Sequence, residues 1–164
     1  MSSQSAETTD PFASLALAQR TGYLLIKLGE LTLELAEQTL EPLGLRARHL
    51  NVMAMVAADA ALSQRDISDL LGLDPNVIVA LVDDLERHGV LTRQRSSHDR
   101  RRHILTLTRD GQRVLSDAHR RIDDAERDLL TPLTADEARN LRVLAQRILS
   151  LRWPPRRRGQ AKDR

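Results

Sequence analysis

Arginine is concentrated in one short stretch of the chain, between positions 93 and 113. Seven arginines fall in this stretch against the acids Asp99 and Asp110, so its local charge is about +5 (seven minus two). The formal net charge of all 164 residues is only +2. Because a run of phosphates is neutralised only by closely spaced positive charge, the stretch predicts contact with a nucleic-acid backbone.

Two short helices are predicted just before this basic stretch. Ser63 and Asp66 have the spacing of a capping box, and Gly72 supplies a left-handed residue that can end the first helix. Asp74 and Pro75 begin the second helix as its N-cap and first helical residue, and this helix is predicted to run to His88. Two helices joined by a short turn that contains glycine are a helix-turn-helix. The apolar residues at helical spacing are Ile67, Leu70 and Leu71 in the first helix, and Ile78, Leu81, Val82 and Leu85 in the second.

A basic hairpin is predicted directly after these helices. Val90–Arg95 and His103–Thr108 are strand-like, and the second alternates leucine with threonine. Residues 96–102, between the strands, are too polar to be buried. We call this hairpin the wing, because a basic hairpin that follows a helix-turn-helix defines a winged helix.

Helices are also predicted on both sides of the winged helix. Before it, one helix is predicted from Pro11 to about Leu40, and another from Arg46 to about Asp59. After it, Thr108 begins a helix to Leu130, and a last helix begins at Thr134 and runs to about residue 153. The residues predicted to face inward are Leu17, Leu24, Leu28, Leu31 and Leu35 in the first helix, Leu50, Met53, Ala54 and Ala57 in the second, Leu115, Ala118, Ile122, Ala125 and Leu129 in the third, and Leu141, Leu144, Ala145, Ile148 and Leu151 in the last.

These flanking helices predict a partner. A winged helix of about sixty to seventy residues cannot cover the apolar stripes of three long helices at both ends of the chain. A two-fold homodimer, in which the first and the last two helices intertwine with their copies, would cover them. The alternative is that these helices pack on one another within a monomer.

The segment LSQRDISDLLGLDPNVIVALVDDLERHGVLTRQRSSHDRRRHILTLTRDG resembles the DNA-binding lobe of the MarR family of bacterial transcription regulators. Its most specific part is Asp99-x-Arg101, followed by a strand that ends at Leu107-Thr108. The resemblance extends roughly over residues 12–152. It implies a mainly α fold with a small β-hairpin wing (α+β), in which a winged helix-turn-helix lobe (about 45–108) is flanked by dimerisation helices (about 11–41 and 108–153) within a single domain, 11–153.

Composition bounds the remainder of the chain. Residues 1–10 are polar and predict a disordered tail, and residues 154–164 form a basic tail. Cysteine is absent, which excludes disulfides and thiolate metal sites. The sequence has no signal-peptide pattern and no apolar run long enough to span a membrane, so we expect a cytoplasmic protein with no membrane partner.

Base contacts are expected from the start of the second short helix, which should enter the major groove. The side-chain amide of Asn76 can bond adenine as a bidentate pair, whereas the valines can contact only thymine methyl groups. Ala80 stands where members of the family often carry an arginine, which weakens direct base recognition. The alternative for Asn76 is a local bond at the helix start. The expected base-facing residues are Asn76, Val77, Val79 and Ala80.

The resemblance implies that the wing contacts the minor groove. Arg101 would enter it, with Asp99 holding the guanidinium in position, and Arg100 and Arg102 would contact phosphates. A narrow A·T-rich minor groove attracts inserted arginine. The alternative is that these arginines only solvate a loop. Further phosphate contacts, with ordinary surface exposure as an equal alternative, are expected from Arg46, Arg48, Ser63, Gln64, Arg65, Arg93 and Arg95.

The sequence shows few patterns that indicate catalysis or the binding of a metal or cofactor. The five histidines show no ligand spacing for a metal, and neither a catalytic Ser/His/Asp grouping nor a phosphate-binding glycine loop is present, so no enzyme, metal or cofactor is predicted. Asp83 and Asp84 are interpreted as a solvated face or as partners of arginine. The family resemblance implies a small-molecule effector pocket, for which Tyr23, His49 and Met53 are candidates; their alternative is a plain core role.

The sequence therefore predicts a dimeric, sequence-specific regulator of transcription that binds duplex DNA, most simply a repressor relieved by a small molecule, on a near-palindromic operator. The alternative is a winged-helix architectural or protein-interaction module that binds DNA without sequence preference.

Overall fold

The computed structural model describes residues 16–59, 62–95 and 103–151. Six α-helices and one antiparallel hairpin make up this part of the chain, with short 3-10 helices at Ala16–Gln19 and Glu41–Leu43. The predicted class, mainly α with a small β-hairpin, is confirmed. In chain order the elements are α1 (Thr21–Leu40), α2 (Ala47–Ala58), α3 (Gln64–Leu71), α4 (Pro75–Arg87), β1 (Leu91–Arg95), β2 (His103–Leu107), α5 (Arg109–Leu129) and α6 (Ala135–Ser150).

Contacts divide the chain into two units, residues 1–35 and 36–164. In the first unit, the prediction of one continuous helix from Pro11 was wrong over the described residues. A 3-10 turn covers Ala16–Gln19, closed by the Arg20 N–H donating to the Leu17 carbonyl at 3.0 Å. The Arg20 carbonyl accepts the first i+4 hydrogen bond of α1, from the Leu24 N–H at 3.1 Å. Pro11 itself lies outside the described residues.

In the second unit, α2 buries a face one position away from the predicted one. Its buried residues follow the i, i+3, i+4, i+7 spacing of an amphipathic helix. The prediction was right for Met53 but wrong for Ala57, which is exposed. Valine covers more apolar area than alanine, so the face with the larger side chains turns inward. The buried residues of α2 are His49, Val52, Met53 and Val56.

Helix α3 begins and ends as its sequence predicts. The Ser63 N–H donates to the Asp66 carboxylate at 2.8 Å, the Asp66 N–H donates to the Ser63 hydroxyl at 3.3 Å, and Gly72 takes a left-handed φ of 63°. Of the apolar residues at helical spacing in α3, Ile67 is buried and Leu70 is exposed, and the buried face also includes Ser68. The Ser68 hydroxyl donates to the Leu73 carbonyl at 2.8 Å, so its burial leaves no unpaired donor.

Helix α4 and the hairpin complete the core around α2. The predicted inner face of α4 is confirmed, since Ile78, Val82 and Leu85 are buried. The strands pair in antiparallel register, with Leu91 opposite Leu107. Gly89, at φ 68°, makes the turn from α4 into β1.

A close approach connects this lobe to α5. The Thr108 hydroxyl accepts from the Gly111 N–H at 2.9 Å and donates to the Gly89 carbonyl at 2.8 Å. A Cβ at Gly111 would lie 1.9 Å from the Val90 carbonyl oxygen, so only glycine fits there. Beyond this point α5 buries Leu115 and Ala118, which confirms the first part of its predicted stripe.

Helix α6 begins at a second capping box, in which the Thr134 N–H donates to the Glu137 carboxylate at 2.8 Å. These bonds from Thr134 lower the pKa of Glu137. None of the 16 residues of α6 is buried in the single chain. The large apolar side chains left exposed on α6 are Leu141, Val143, Leu144, Ile148 and Leu149.

Candidate nucleic-acid interface

The N-terminal end of α4 presents one face to solvent while its opposite face is fixed in the core. The Asp74 carboxylate accepts the Asn76 backbone N–H at 2.8 Å, so the local capping bond at this site uses the backbone of Asn76 and leaves its side-chain amide exposed. Val79 is 41% exposed, whereas Ile78 beside it has no exposed surface. Of the four residues predicted to face bases, Asn76, Val79 and Ala80 are exposed and Val77 is half-buried.

Asp84 connects α4 to α2 through a histidine. The His49 Nε2 atom lies 3.1 Å from Asp84 Oδ2, and His49 Nδ1 accepts the Arg46 N–H at 3.1 Å. Both ring nitrogens are therefore satisfied by the neutral tautomer that carries its proton on Nε2. Burial lowers the pKa of His49 below its ordinary value of 6.5, although the Asp84 carboxylate acts in the opposite direction. The neutral His49 ring therefore connects α2 to Asp84 on α4.

Arg93, on β1, is surrounded by acceptors from the helix-turn-helix. Its Nη1 atom lies 2.5 Å from Glu86 Oε2, and its Nη2 atom lies 2.5 Å from Asp83 Oδ1. The prediction that Asp83 and Asp84 serve as partners of arginine is confirmed, since Asp84 Oδ1 also lies 2.8 Å from Arg87 Nη2. The expectation of Arg93 as a free phosphate contact does not fit this arrangement, because two carboxylates already compensate its charge.

The other expected phosphate contacts differ in their availability. The side chains of Arg46, Arg48 and Arg65 are exposed. The Ser63 hydroxyl lies 2.6 Å from the Asp66 carboxylate, to which it donates, and is therefore used within the capping box. The Gln64 amide, in the orientation that satisfies its neighbours, accepts from Arg93. Exposed arginines thus lie at the N-terminal ends of α2 and α3, where the positive end of the helix dipole also favours phosphate.

The tip of the wing lies outside the described residues, together with the Arg95 side chain. The residues concerned are Asp99, Arg100, Arg101 and Arg102. What is described is the base of the wing, where five residues of β1 pair with five of β2. The antiparallel register fixes where the two strands leave the lobe.

The three candidates for an effector pocket fall in different environments. Met53 is fully buried in the core, and both ring nitrogens of His49 are engaged within the lobe. Tyr23 lies in the first unit, where the Lys27 Nζ atom is 5.9 Å from its ring centroid. For His49 and Met53 the described contacts are those of core residues.

No group of three or more His, Asp or Glu side chains among the residues that the structure describes could hold a metal ion. Among the same residues, no helix combines the length and the apolar character needed to cross a membrane.

Glu86 is the residue of this interface that sequence analysis missed. It accepts both the backbone N–H of Arg93, at 2.8 Å, and one arm of its guanidinium. The available signal was a spacing: an acid and an arginine seven residues apart on either side of the Gly89 turn. Such a pair becomes informative only once the turn brings the end of α4 back against β1.

The fold and the exposed face of α4 define a winged helix-turn-helix protein of the kind that regulates transcription. The MarR family model matches residues 43–102, the segment that contains α2 to β1. A MarR-family transcriptional regulator from Rhodococcus sp. RHA1 has 32% sequence identity and a TM-score of 0.73, over 82% of this chain and 97% of that chain. This chain belongs to the MarR family.

Two other relatives are similar over most of this chain. CouR from Rhodococcus jostii RHA1, solved with bound p-coumaroyl-CoA, has 33% identity and a TM-score of 0.71 over 82% of this chain and 95% of its own. The multiple antibiotic resistance protein MarR of Salmonella typhimurium has 27% identity over 111 residues, which are 67% of this chain and 77% of that protein. The similarity therefore extends beyond the segment that the family model matches.

Proposed function

We propose that this protein is a homodimeric transcriptional regulator that binds duplex DNA with sequence preference, most simply as a repressor. The observation that carries the proposal is the two-sided environment of α4. Its inner face is fixed by buried Ile78, Val82 and Leu85, and its outer N-terminal face is exposed beside a hairpin whose sequence is strongly basic. A helix held in this way can enter a major groove as a rigid unit.

Each part of the lobe has a defined role in this proposal. Asn76 would bond a base edge through its amide, and Val79 and Ala80 would contact apolar base atoms such as thymine methyl groups. Arg101, oriented by Asp99, would enter the flanking minor groove. The residues proposed to contact phosphates are Arg46, Arg48, Arg65, Arg95, Arg100 and Arg102, together with the N-terminal end of α3.

The exposed apolar surface of α6 supports a homodimer. Leu144, Ile148 and Leu149 are each more than half exposed in the single chain. Contiguous apolar surface of this kind marks an interface in a water-soluble protein. A second copy would bring an identical surface with two-fold symmetry, and its two α4 helices would reach successive major grooves of a near-palindromic operator about one helical turn apart.

We further propose that a small molecule relieves repression. The crystal structure of CouR contains p-coumaroyl-CoA, so aromatic acids and their CoA thioesters are the first compounds to try. A ligand releases DNA only if it binds the DNA-free conformation more tightly, and the coupling must be reciprocal. Calorimetry with and without operator DNA measures this coupling, and equal ligand affinity in both states would leave a regulator without an effector.

A second candidate is a DNA-binding architectural module without sequence preference. The apolar character of Val79 and Ala80 favours it, because these side chains offer no hydrogen bonds to bases. Footprinting on the DNA beside the protein's own gene separates the two candidates. A protected inverted repeat supports the regulator, whereas uniform protection at all concentrations supports the architectural module.

A further inference from the structure

We propose that Arg93 is a positioning residue, which fixes the wing against α4 and α3 and does not itself contact phosphate. This inference rests on the proposed function, since it concerns how the wing and α4 reach two grooves of one duplex together. In this role Arg93 contributes to the sequence specificity of DNA binding and not to the overall affinity for DNA.

The donors of Arg93 are used within the protein. Nη1 bonds Glu86, Nη2 bonds Asp83, and the backbone N–H donates to Glu86 Oε1 at 2.8 Å. With the Gln64 amide oriented to suit its neighbours, its oxygen accepts from Nη2 at 2.9 Å and from Nε at 3.0 Å. Arg93 therefore joins three elements at one point: β1, α4 through Glu86 and Asp83, and α3 through Gln64.

Strand register explains why an arginine points toward the lobe. Arg93 is opposite Leu105 in the antiparallel ladder, so their side chains lie on the same face of the hairpin. Leu105 is buried in the core, which places Arg93 on the inward face as well. Only 25% of the Arg93 side chain is exposed. A guanidinium suits this position because its fixed fork can bond several acceptors in one plane.

The local charge argues against a phosphate contact. One guanidinium is matched here by two carboxylates, so the cluster of Arg93, Asp83 and Glu86 has a net charge of −1 (one minus two). A phosphate that approached Arg93 would have to displace a carboxylate and would meet the other one. The same bonds, however, fix the direction in which β1 leaves α4 toward the tip of the wing.

The Glu86→Gln variant distinguishes the two roles, because they predict opposite changes in affinity for the specific duplex. It removes one negative charge and loosens the hold on Arg93. If Arg93 were a phosphate contact, this variant would bind all DNA more tightly, because a carboxylate that competes with phosphate for Arg93 would be gone. If Arg93 is a positioning residue, binding to the specific duplex weakens tenfold or more, while binding to a scrambled duplex is unchanged or tighter.

The measurement is fluorescence anisotropy of the full-length dimer with two labelled duplexes, the upstream region of its own gene and a scrambled copy, at several salt concentrations. Glu126→Gln is the matched control, because it makes the same charge change at an exposed position of α5. Thermal unfolding confirms that each variant is folded. Tighter binding of Glu86→Gln to both duplexes would overturn the assignment.

Arg93→Lys provides a second test that leaves the charge constant. A lysine retains the positive charge but cannot bond Glu86, Asp83 and Gln64 together. We expect the ratio of specific to scrambled affinity to fall at least tenfold with an unchanged salt slope, and retention of the wild-type ratio would refute the positioning role. A wild-type protein that prefers neither duplex would instead overturn the proposed function, and this assignment with it.

Discussion

Helices α4 and α6 have similar sequence patterns but opposite environments. Both place apolar residues at helical spacing, and both begin at a side-chain cap. In α4, Ile78 and Val82 have no exposed surface, whereas in α6 Leu144 and Ile148 are 55% and 56% exposed. This difference in exposure shows that an apolar stripe on a helix predicts a buried face. The stripe does not reveal whether the surface that covers it belongs to the same chain.

We expect the stability of these two helices to have different origins. The core that surrounds α4 is complete within one chain, so its stability should not depend on protein concentration. Among the residues that the structure describes, none covers the stripe of α6, and burying it in a homodimer would make its stability depend on protein concentration. The following predictions separate these two kinds of stability.

The largest effect is expected where the lobe joins α5. Gly111→Ala forces a methyl group to within 1.9 Å of the Val90 carbonyl oxygen, so the backbone must shift. We expect the free energy of unfolding to fall by about 4 kcal/mol or more, at the upper end for single substitutions. Chemical denaturation measures this loss.

The control for this variant is Gly29→Ala, because nothing lies within 4 Å of a Cβ at Gly29 in the middle of α1. Alanine there should stabilise the protein by up to about 1 kcal/mol through its higher helix propensity. Equal effects of the two substitutions would contradict the close approach at the start of α5.

A matched pair of isoleucine truncations tests the comparison itself. Ile78→Ala opens a cavity in the core and should lower the free energy of unfolding by about 2–5 kcal/mol at any protein concentration. Ile148→Ala, in α6, should instead raise the concentration at which the homodimer dissociates. Denaturation across a hundredfold range of protein concentration, combined with sedimentation, distinguishes the two. Concentration-independent losses of similar size in both variants would place α6 in a monomer core.

The wing should contribute to DNA binding rather than to folding. Arg101→Ala is expected to weaken specific binding by about 1–3 kcal/mol, as for the loss of a base-contacting arginine. Arg158→Ala, in the basic tail, should cost little. Titration of both variants on one operator measures the difference, and equal losses would refute the assignment of the wing.

The smallest effect is expected from the contact between α2 and α4. Because burial lowers the pKa of His49, the unfolded chain binds more protons than the folded one below pH 6.5. The free energy of unfolding should therefore fall as the pH drops from above 6.5 to below it. His49→Gln should remove this part of the pH dependence, whereas His119→Gln, on an exposed position of α5, should leave it unchanged. Identical pH profiles for wild type and His49→Gln would contradict the role of burial.

Local signals in the sequence predicted the helix-turn-helix and the base of the wing well. The Ser63 capping box, the end of α3 at Gly72 and the paired strands all follow from short-range chemistry, and all are confirmed. Family resemblance added the expected roles of the wing residues, which remain predictions.

The sequence predictions were wrong where contacts between distant parts of the chain determine which residues are buried or paired. The sequence does not reveal that α2 turns Val52 and Val56 inward, or that buried Ser68 finds a carbonyl acceptor. It also suggested Arg93 as a phosphate contact, because charge alone does not show that Glu86 lies behind it. These outcomes depend on which elements meet in space, and spacing along one helix carries no information about that.

The central claim is that two copies of this chain, joined through helices such as α6, present two α4 helices to one duplex. Its most direct test is sedimentation of the protein with the upstream DNA of its own gene and with a scrambled duplex of equal length. We predict two chains per duplex. At physiological salt, the affinity for the upstream DNA should be at least about a thousandfold higher than the affinity for the scrambled duplex. One chain per duplex, or equal affinity for both duplexes, would contradict the account.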